Sequence, residues 1–326
     1  MITQQDIFSI KSANEFEQTA WEVFKYQFEN NAIYRSYCDL LCKHPSDIKS
    51  IEHIPFLPIE FFKTRTVITG KPQIQKTFRS SGTTGSTQSQ HHVVDMQLYQ
   101  KSGQKGFEMF YGPLSHYAVL ALLPSYSERN DASLAFMVED WMCQSQHQIN
   151  GFYLNNLNEL SEVIKQIEAS QQKTILIGVT FALLDLAEQF PQPLKHTILM
   201  ETGGMKGRRK EMVRSEVHAI LTKAFEVDQI HSEYGMTELL SQAYSKGKGL
   251  FHCPPWMKVL AREQEDPFQI AKLNTTGGLN IIDLANLHSC SFIATQDLGR
   301  IHSNGDFEVL GRFDHSDIRG CNLMVV

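Results

Sequence analysis

Residues 173–190 read KTILIGVTFALLDLAEQF, and this stretch decides the fold class. Its first part, KTILIGVT, is a short apolar run rich in β-branched residues, which is typical of a strand buried on both faces. The part that follows, FALLDLAEQF, is helix-like, so a buried strand leads directly into a helix. Because parallel strands need crossovers of this kind, the stretch predicts an α/β fold with a parallel sheet.

Two other segments repeat the pattern on either side. HTILM (196–200) precedes a predicted helix from about Lys206 to Phe225, and YAVLALLPS (117–125) precedes another over 131–142. One face of the first of these helices gathers the apolar residues Val213, Val217, Ile220 and Ala224. Repeated strand–helix units favour parallel strands joined by right-handed crossovers.

The two ends of the chain differ from this middle part. Residues 14–45 are aromatic-rich and helix-like, and HIPFLPIEFFK (53–63), broken by two prolines, is expected to run over the surface. From about Leu250 the segments are shorter, and Asn304-Gly305 between two alternating runs predicts a two-residue hairpin turn. We therefore expect a smaller antiparallel β region toward the carboxyl end.

Composition excludes several classes of protein. The net charge of −6 gives no reason to expect nucleic acid or an anionic membrane as a partner. No apolar run approaches the ~18 residues of a membrane span, and the first residues lack a basic segment followed by an apolar one. The six cysteines have no paired spacing. These features predict a soluble cytoplasmic protein with reduced thiols.

The segment RSSGTTGSTQS (79–89) is the first candidate for chemistry. Seven of the ten residues from Ser80 to Ser89 carry hydroxyl groups. Gly82 and Gly85 free the backbone to point successive N–H groups at an anion, although no Gly-Lys-Ser/Thr closes the loop as in a Walker A sequence. Two interpretations stay open at this point: a loop that holds phosphates, and a flexible linker.

Two further glycine-containing turns follow predicted strands. ETGGMKG (201–207) lies between a strand and a helix, and HSEYGMTELLS (231–241) is expected to turn at Gly235 and open a helix near Thr237. Glu238 in the first turn of that helix could complement the helix dipole, or it could present a carboxylate to Mg²⁺. Nucleotide sites in open α/β sheets lie at such carboxyl ends of strands.

Four segments together carry a family resemblance. SSGTTGS, YGMTE, DLGR and GRFDHSDIRG resemble, in this order, the core motifs of the adenylate-forming enzymes, which include acyl- and aryl-CoA ligases and the adenylation domains of peptide synthetases. The motifs span most of the chain. The resemblance implies ATP- and Mg²⁺-dependent activation of a carboxylic acid as an acyl-AMP, with release of pyrophosphate. It also implies the large amino-terminal domain of that superfamily as the fold.

The resemblance assigns roles to individual residues. It implies that the ATP phosphates contact Ser80, Ser81, Gly82, Thr83, Thr84 and Gly85. The adenine and ribose would lie against Gly203, Gly204, Tyr234, Gly235, Asp297 and Arg312. Thr237 would lie near the phosphates, and Glu238 would hold Mg²⁺. The acid pocket would include Thr180 and Phe181.

The chain also departs from the general pattern of the superfamily. The sequence reaches Val326 soon after GRFDHSDIRG. In most of the superfamily a second domain with a catalytic lysine follows this stretch, and the resemblance leads us to expect that this lid domain is absent here. Another cation, such as Lys206, Arg208 or Arg319, could take its role. The branch that ends in this way is the acyl-protein synthetase of the bacterial bioluminescence fatty-acid reductase complex, which moves the acyl group to its own cysteine near the carboxyl terminus.

Cys321 lies in the matching place and has two interpretations. A thiolate beside Arg319 could accept an acyl group, whereas a small apolar residue in a final strand CNLMVV fits the pattern equally well. The resemblance therefore predicts a single adenylating domain over 1–326, with a helical lead at 1–75, an α/β core at 76–250 and a β-rich part at 251–326.

The predicted function is activation of a carboxylic acid, expected to be a fatty acid, and transfer of the acyl group to a protein thiol. The acceptor would be Cys321 or a thiol of a partner, such as an acyl reductase or a carrier protein. Two alternatives remain open. One is an acyl- or aryl-CoA or carrier-protein ligase that uses a separate lid domain. The other is a catalytically reduced nucleotide-binding subunit of a biosynthetic complex.

Overall fold

The computed structural model describes residues 2–81, 87–125, 127–203, 209 and 212–313. The helices α1 to α9 comprise Gln4–Phe8, Ala13–Asn30, Ala32–Leu40, Phe61–Thr64, Met96–Tyr111, Ser133–Ser145, Leu157–Ser170, Thr180–Gln189 and Arg214–Phe225. The strands β1 to β14 comprise Leu57–Pro58, Lys76–Arg79, Gln90–Val93, Ala118–Leu122, Gly151–Phe152, Thr174–Val179, Thr197–Thr202, His231–Tyr234, Ala243–Ser245, Leu250–Phe251, Met257–Arg262, Thr276–Asp283, Phe292–Ile301 and Phe307–Arg312.

A mostly parallel sheet forms the middle of the molecule. Its strand order is β5-β4-β6-β7-β8-β9, in which β9 alone runs antiparallel to its neighbour. Every residue of β4 and β6 is buried, and α8 begins directly after β6. The parallel α/β fold that residues 173–190 predict is therefore confirmed.

Helix α9 differs from its prediction at its start. It begins at Arg214 and not near Lys206, and Val213 is its N-cap residue, with the Glu216 carboxylate accepting from the Val213 N–H at 3.3 Å. Because Val213 lies outside the helix, the apolar stripe begins later than expected. The side chains that the helix buries are Val217, Leu221 and Phe225, whereas Ile220 is 39% exposed.

A second, antiparallel sheet follows along the chain. Its strand order is β10-β14-β13-β12-β11, and β1 joins it by pairing in parallel with β13. The predicted antiparallel β region near the carboxyl end is confirmed. The Asn304-Gly305 hairpin connects β13 to β14, but its loop is longer than two residues, since the His302 N–H donates to the Asp306 carbonyl at 2.8 Å. Gly305 adopts a φ of 88°, which favours glycine.

The amino-terminal helices pack against this second sheet. Phe292 of β13 meets Phe24 of α2 edge-on at 5.9 Å and stacks on Tyr34 of α3 at 6.0 Å. The segment 53–63 does not run over the surface as expected. Phe56 and Leu57 are buried, because β1 takes an edge position beside β13 and draws these side chains into the core. Among the described residues, every helix is too short or too polar to cross a bilayer.

Candidate active-site cleft

The candidate site is a cleft of about 2000 Å³ between the two sheets. Three adjacent parallel strands, β6, β7 and β8, end at its floor, and they deliver Thr180, Gly203 and Gly235 to it. The facing wall comes from β13 and β14 and carries Asp297 and Arg312. Segments that are far apart in the sequence thus converge at the carboxyl ends of the parallel strands, where open α/β sheets bind ligands.

One end of the cleft, which we call the Asp297 corner, is built around Asp297, Arg312 and Tyr234. Asp297 is 6% exposed. Its Oδ1 accepts from the Arg312 Nε at 3.0 Å, and its Oδ2 accepts from the Tyr234 hydroxyl at 2.7 Å. Asp297 and Arg312 are direct partners in the β13–β14 register. Both carboxylate oxygens are therefore held in fixed positions, with the carboxylate facing the cleft.

The Tyr234 ring packs against the second sheet. It meets Phe251 at 5.8 Å and Phe307 at 5.4 Å. Burial first, and then the charge of Asp297, raise the pKa of Tyr234 well above its ordinary value. The hydroxyl is therefore a permanent hydrogen-bond donor to Asp297 at neutral pH.

Two paired strands flank the hydroxyl-rich segment. Strands β2 and β3 pair antiparallel, and the Ser80 N–H donates to the Ser89 carbonyl at 3.1 Å. The Ser89 N–H donates in turn to Ser80 Oγ at 3.0 Å. Ser80 and Ser81 line the cleft. The described start of the segment thus reaches the cleft, while Gly82, Thr83, Thr84 and Gly85 lie outside the described residues.

The segment after Gly235 forms a turn, and the predicted helix near Thr237 is wrong. The chain turns at Thr237 and Glu238 and enters β9 at Ala243. Hydrogen bonds from outside the segment fix this path: the Asn286 side-chain amide donates to the Glu238 carbonyl at 2.8 Å. Since no helix starts here, the interpretation of Glu238 as a partner of a helix dipole falls away.

Asp283, at the end of β12, holds the residues that follow the turn. Its two oxygens accept from the backbone N–H groups of Leu240, Ser241 and Ala285 and from the Ser241 hydroxyl. The distances run from 2.6 to 3.1 Å. Burial outweighs these hydrogen bonds and raises the pKa of Asp283 to about 6. This buried carboxyl ties the second sheet to the chain behind the cleft.

Glu238 faces the cleft from the turn. It is 4% exposed, and burial raises its pKa, while a hydrogen bond from Ser89 and the charges of Arg312 and Lys63 act in the opposite direction. A single carboxylate of this kind suits Mg²⁺, which prefers one or two carboxylates together with phosphate oxygens and water. Among the described residues, no group of three or more His, Cys, Asp or Glu side chains could hold a metal ion by itself.

Glu201 connects the strand ends beneath the cleft. Its carboxylate pairs with Arg214 Nε at 3.0 Å, accepts from the Ser232 hydroxyl at 2.9 Å and from the Thr180 hydroxyl at 3.2 Å. The Thr180 hydroxyl also lies 3.0 Å from the carbonyl oxygen of Gly203. Burial works against the charge of Glu201, but its contacts with His218, Arg214 and Ser232 outweigh it and lower its pKa.

Of the two residues expected to bind the acid, one lines the cleft and the other does not. Thr180 lines the cleft, whereas Phe181 is buried in the core on α8 and is not among the lining residues. Gly204, Lys206, Arg208, Arg319 and Cys321 lie outside the described residues.

Several residues that line or support the cleft carry no motif and were not expected. Lys63, Arg79 and Arg129 bring positive charge to it. Glu233 and Gln242 line it from β8 and from the segment before β9. The sequence does offer a signal for Glu233, because this acidic residue directly precedes the YGMTE motif. Nothing in the sequence distinguishes the cations from ordinary surface residues.

Comparisons with known proteins agree with this geometry. A family model described as acyl-protein synthetase, LuxE, matches residues 10–326. No curated protein matches. Among solved structures, an open conformation of 2-hydroxyisobutyryl-CoA ligase in complex with 2-HIB-AMP and CoA is 11% identical with a TM-score of 0.68, over 93% of this chain and 70% of that chain.

A second solved structure matches this chain over a smaller share of its own length. ATP-bound MatB from Rhodopseudomonas palustris is 14% identical with a TM-score of 0.56, over 74% of this chain and 49% of that chain. The chain thus spans about half the length of MatB. At these identities the likeness establishes the fold, which is that of adenylate-forming ligases.

Proposed function

The chain belongs to the LuxE family of acyl-protein synthetases, and on that premise we propose that it activates a carboxylic acid with ATP and transfers the acyl group to a protein thiol. One observation carries the proposal. Gly203, Tyr234, Glu238 and the Asp297–Arg312 pair come from separate sequence segments and line a single cleft. The family resemblance favours a medium or long fatty acid as the acid, and an acyl reductase or a carrier protein as a partner.

We propose that the Asp297 corner binds the ribose of ATP. Arg312 and Tyr234 orient the Asp297 carboxylate, and each oxygen keeps room for a further hydrogen bond from one of the two adjacent ribose hydroxyls. The Arg312 side chain is 77% exposed, so its remaining N–H groups are accessible to a ligand. Gly203 and Gly235 also line the cleft, and we propose that they lie against the adenine.

The phosphates would lie between the β2–β3 hairpin and the turn at Glu238. Ser80 and Ser81 offer hydroxyl and backbone donors there, and Lys63 and Arg79 supply positive charge. Glu238 would hold Mg²⁺ together with phosphate oxygens and water. When bound, Mg²⁺ neutralises the crowded phosphate oxygens.

The first step is attack of the substrate carboxylate on the α-phosphorus. A new bond forms between the carboxylate oxygen and the phosphorus, and the bond from that phosphorus to the bridging oxygen breaks, so pyrophosphate leaves with the electron pair. The protein contributes positioning and charge stabilisation to this step. We propose Thr180, at the floor of the cleft, as a contact of the acid.

The second step is attack of a thiolate on the acyl carbon, which forms a thioester and expels AMP. We propose Cys321 as the acceptor, on the family resemblance. Two described cysteines are poor candidates: burial raises the pKa of Cys38 to about 12 and that of Cys290 well above its ordinary value. A thiol with a raised pKa is seldom a thiolate at neutral pH.

The test combines two measurements. ATP–pyrophosphate exchange is followed over a panel of carboxylic acids, and intact mass is then measured after incubation with ATP, Mg²⁺ and the active acid. We compare the wild type with Cys321→Ala and with Cys143→Ala, a matched control at an exposed cysteine. We expect exchange in all three proteins, and a mass gain of one acyl group in all but Cys321→Ala.

The outcomes separate the alternatives. Exchange without any mass gain in the wild type would move the acceptor to coenzyme A or a carrier protein. No exchange with any acid would contradict the proposed adenylation.

A further inference from the structure

One wall of the cleft combines apolar side chains with two buried polar ones. We call it the α5–α6 wall, and its residues are Tyr99, Leu134, Ala135, Met137, Glu233 and Gln242. The apolar members come from α5 and α6, which cover one face of the parallel sheet. The polar members come from β8 and from the residue before β9. An apolar ligand that entered along this wall would therefore meet Glu233 and Gln242.

The strand register sets the direction of these two side chains. Glu233 pairs with Tyr244 across β8 and β9, so their side chains share a face of the sheet, and Gln242, two residues before Tyr244, lies on the same face. The Tyr244 ring packs on Phe110 of α5 at 5.4 Å, which identifies that face. Tyr234 points the other way, toward the Asp297 corner. The Glu233 side chain therefore lies on the opposite face of the sheet from the Tyr234 ring.

Gln242 has an acceptor without a donor. The residue is 5% exposed, and its buried Oε1 has no hydrogen-bond partner among the residues that the structure describes. The oxygen lies above Gly103 of α5, where a Cβ would be 3.8 Å from it and 3.6 Å from the Cγ of Met137. These are ordinary van der Waals distances, so a single carbon atom would fit beside this oxygen at Gly103.

Glu233 has a second such acceptor. It is 8% exposed, and its Oε2 accepts from the Thr202 hydroxyl at 2.6 Å, while no described residue donates to Oε1. Oε1 lies beside Gly235, where a Cβ would approach within 2.5 Å. Burial raises the pKa of Glu233 to about 7, against the hydrogen bond from Thr202. Both the neutral and the ionised carboxyl are therefore present near neutral pH, and each can accept a hydrogen bond.

We propose that Glu233 and Gln242 form a polar subsite for the acid, and that the protein selects carboxylic acids whose tail carries a hydroxyl or amine group. The inference rests on the proposed adenylation and narrows its substrate class. A buried acceptor left without a donor is costly. A plain alkyl tail would cover both acceptors without pairing them, whereas a hydroxyl or an amine can donate to them.

The test uses acids matched in length. ATP–pyrophosphate exchange is measured with a plain alkanoic acid and with its ω-hydroxy and ω-amino derivatives over a series of chain lengths, and with benzoic and para-hydroxybenzoic acid. At the best length, we expect kcat/KM for the hydroxy or amino acid to exceed that of the plain acid by about 10- to 100-fold, the usual cost of an unpaired buried acceptor.

Variants assign the preference to the subsite. We expect the Glu233→Leu/Gln242→Leu double variant to lose the preference and to leave the KM for ATP unchanged. Gln264→Leu, at an exposed glutamine outside the cleft lining, is the matched control and should keep the preference. Glu233→Gln retains the shape of the side chain. We expect it to lower kcat/KM for the ω-amino derivative more than for the ω-hydroxy derivative.

Three results would overturn the inference. Exchange that is equally fast with plain and substituted acids would leave adenylation standing but refute the polar subsite. A higher KM for ATP in the variants, with the acid preference unchanged, would assign Glu233 to the nucleotide. Exchange with no acid at all would refute the adenylation proposal and this inference with it.

Discussion

His91 shows how a single side chain outside any motif can hold the site. It is 1% exposed, its Nδ1 lies 2.8 Å from the Thr237 carbonyl, and its Nε2 lies 2.9 Å from Ser289 Oγ. A carbonyl can only accept, so Nδ1–H donates and Nε2 accepts from the Ser289 hydroxyl. Neutral His91 therefore ties β3 to the turn that carries Glu238, and burial lowers its pKa to about 4.

This pKa predicts how stability depends on pH. Between pH 4 and the ordinary histidine value of 6.5, the unfolded chain binds a proton at His91 that the folded chain does not bind. The free energy of unfolding should therefore fall as pH drops through this window, by up to about 3 kcal/mol from this residue. We expect His91→Gln to be less stable at neutral pH but to show a shallower slope over the window in urea titrations.

The control for this prediction is His53→Gln. His53 is exposed to solvent, so its replacement should leave the pH slope of the wild type in place. Parallel slopes for wild type and His91→Gln would contradict the assignment.

The difference between motif residues and supporting residues explains what the sequence could predict at this scale. Gly203, Tyr234 and Asp297 lie in recognisable motifs, and all three line the cleft. His91 and Gln242 act through contacts with residues far away in the chain, and no local pattern encodes such contacts. Their positions become apparent only from the pairing of β3, β8 and β9 with the rest of the fold.

At the scale of elements, strands were easier to predict than the turns that follow them. Continuous apolar runs identified β4 and β6, because strands buried on both faces need them. The helix expected near Thr237 does not form. The competing influence is tertiary: Asp283 takes the N–H groups of Leu240 and Ser241, which a helix would have used for its own hydrogen bonds.

Arg214, the first residue of α9, connects the two sheets. Its Nε pairs with Glu201 at 3.0 Å, its Nη1 donates to the Val309 carbonyl of β14 at 3.2 Å, and its guanidinium lies 5.0 Å from the Phe251 ring centre. Glu201 belongs to the parallel sheet, and the other two residues belong to the antiparallel sheet. The helix start thus fastens the two walls of the cleft together.

Loss of this link should destabilise the protein. In Arg214→Met the buried Glu201 carboxylate loses its closest cation, and we expect the free energy of unfolding to fall by about 1–3 kcal/mol, which is below the full cost of breaking a buried pair because Arg214 is 31% exposed. Denaturant titration measures the change. The KM for ATP should rise as well, because β14 also carries Arg312.

Arg209→Met provides the matched control. Arg209 is similarly exposed, and it makes two ion pairs, but its partners Asp185 and Glu188 are 36% and 60% exposed. Its replacement should cost less than about 1 kcal/mol. Equal losses in the two variants would mean that the burial of Glu201 does not matter.

At the scale of the whole molecule, the site depends on how two sheets meet. The alternation of strands and helices predicted the parallel sheet, and the hairpin signal at Asn304-Gly305 predicted the antiparallel region. Neither pattern contains the angle or the distance between the sheets. The order of the motifs along the chain predicted that they would converge, but the pairing of β1 with β13 and the bridge at Arg214 set the geometry of the cleft.

This architecture predicts the effect of removing residues 314–326. The described fold is closed at Phe313, whose N–H donates to the Gln296 carbonyl at 2.9 Å and whose ring lies 5.5 Å from the Arg262 guanidinium. We expect a chain that ends at Phe313 to keep its Tm within about 1 °C, less than the shift that a change of about 1 kcal/mol would cause in a chain of this length. ATP–pyrophosphate exchange should continue, because Asp297, Arg312 and the cleft cations remain.

The same truncation should abolish acylation of the protein, since it removes Cys321. Full-length Cys321→Ala separates the loss of the thiol from the loss of the segment, and both proteins should lack the mass gain while retaining exchange. If the truncated protein keeps its Tm but loses exchange, and Cys321→Ala does not, then a group within 314–326 is needed for adenylation. Arg319→Ala would then test whether that group is the Arg319 guanidinium.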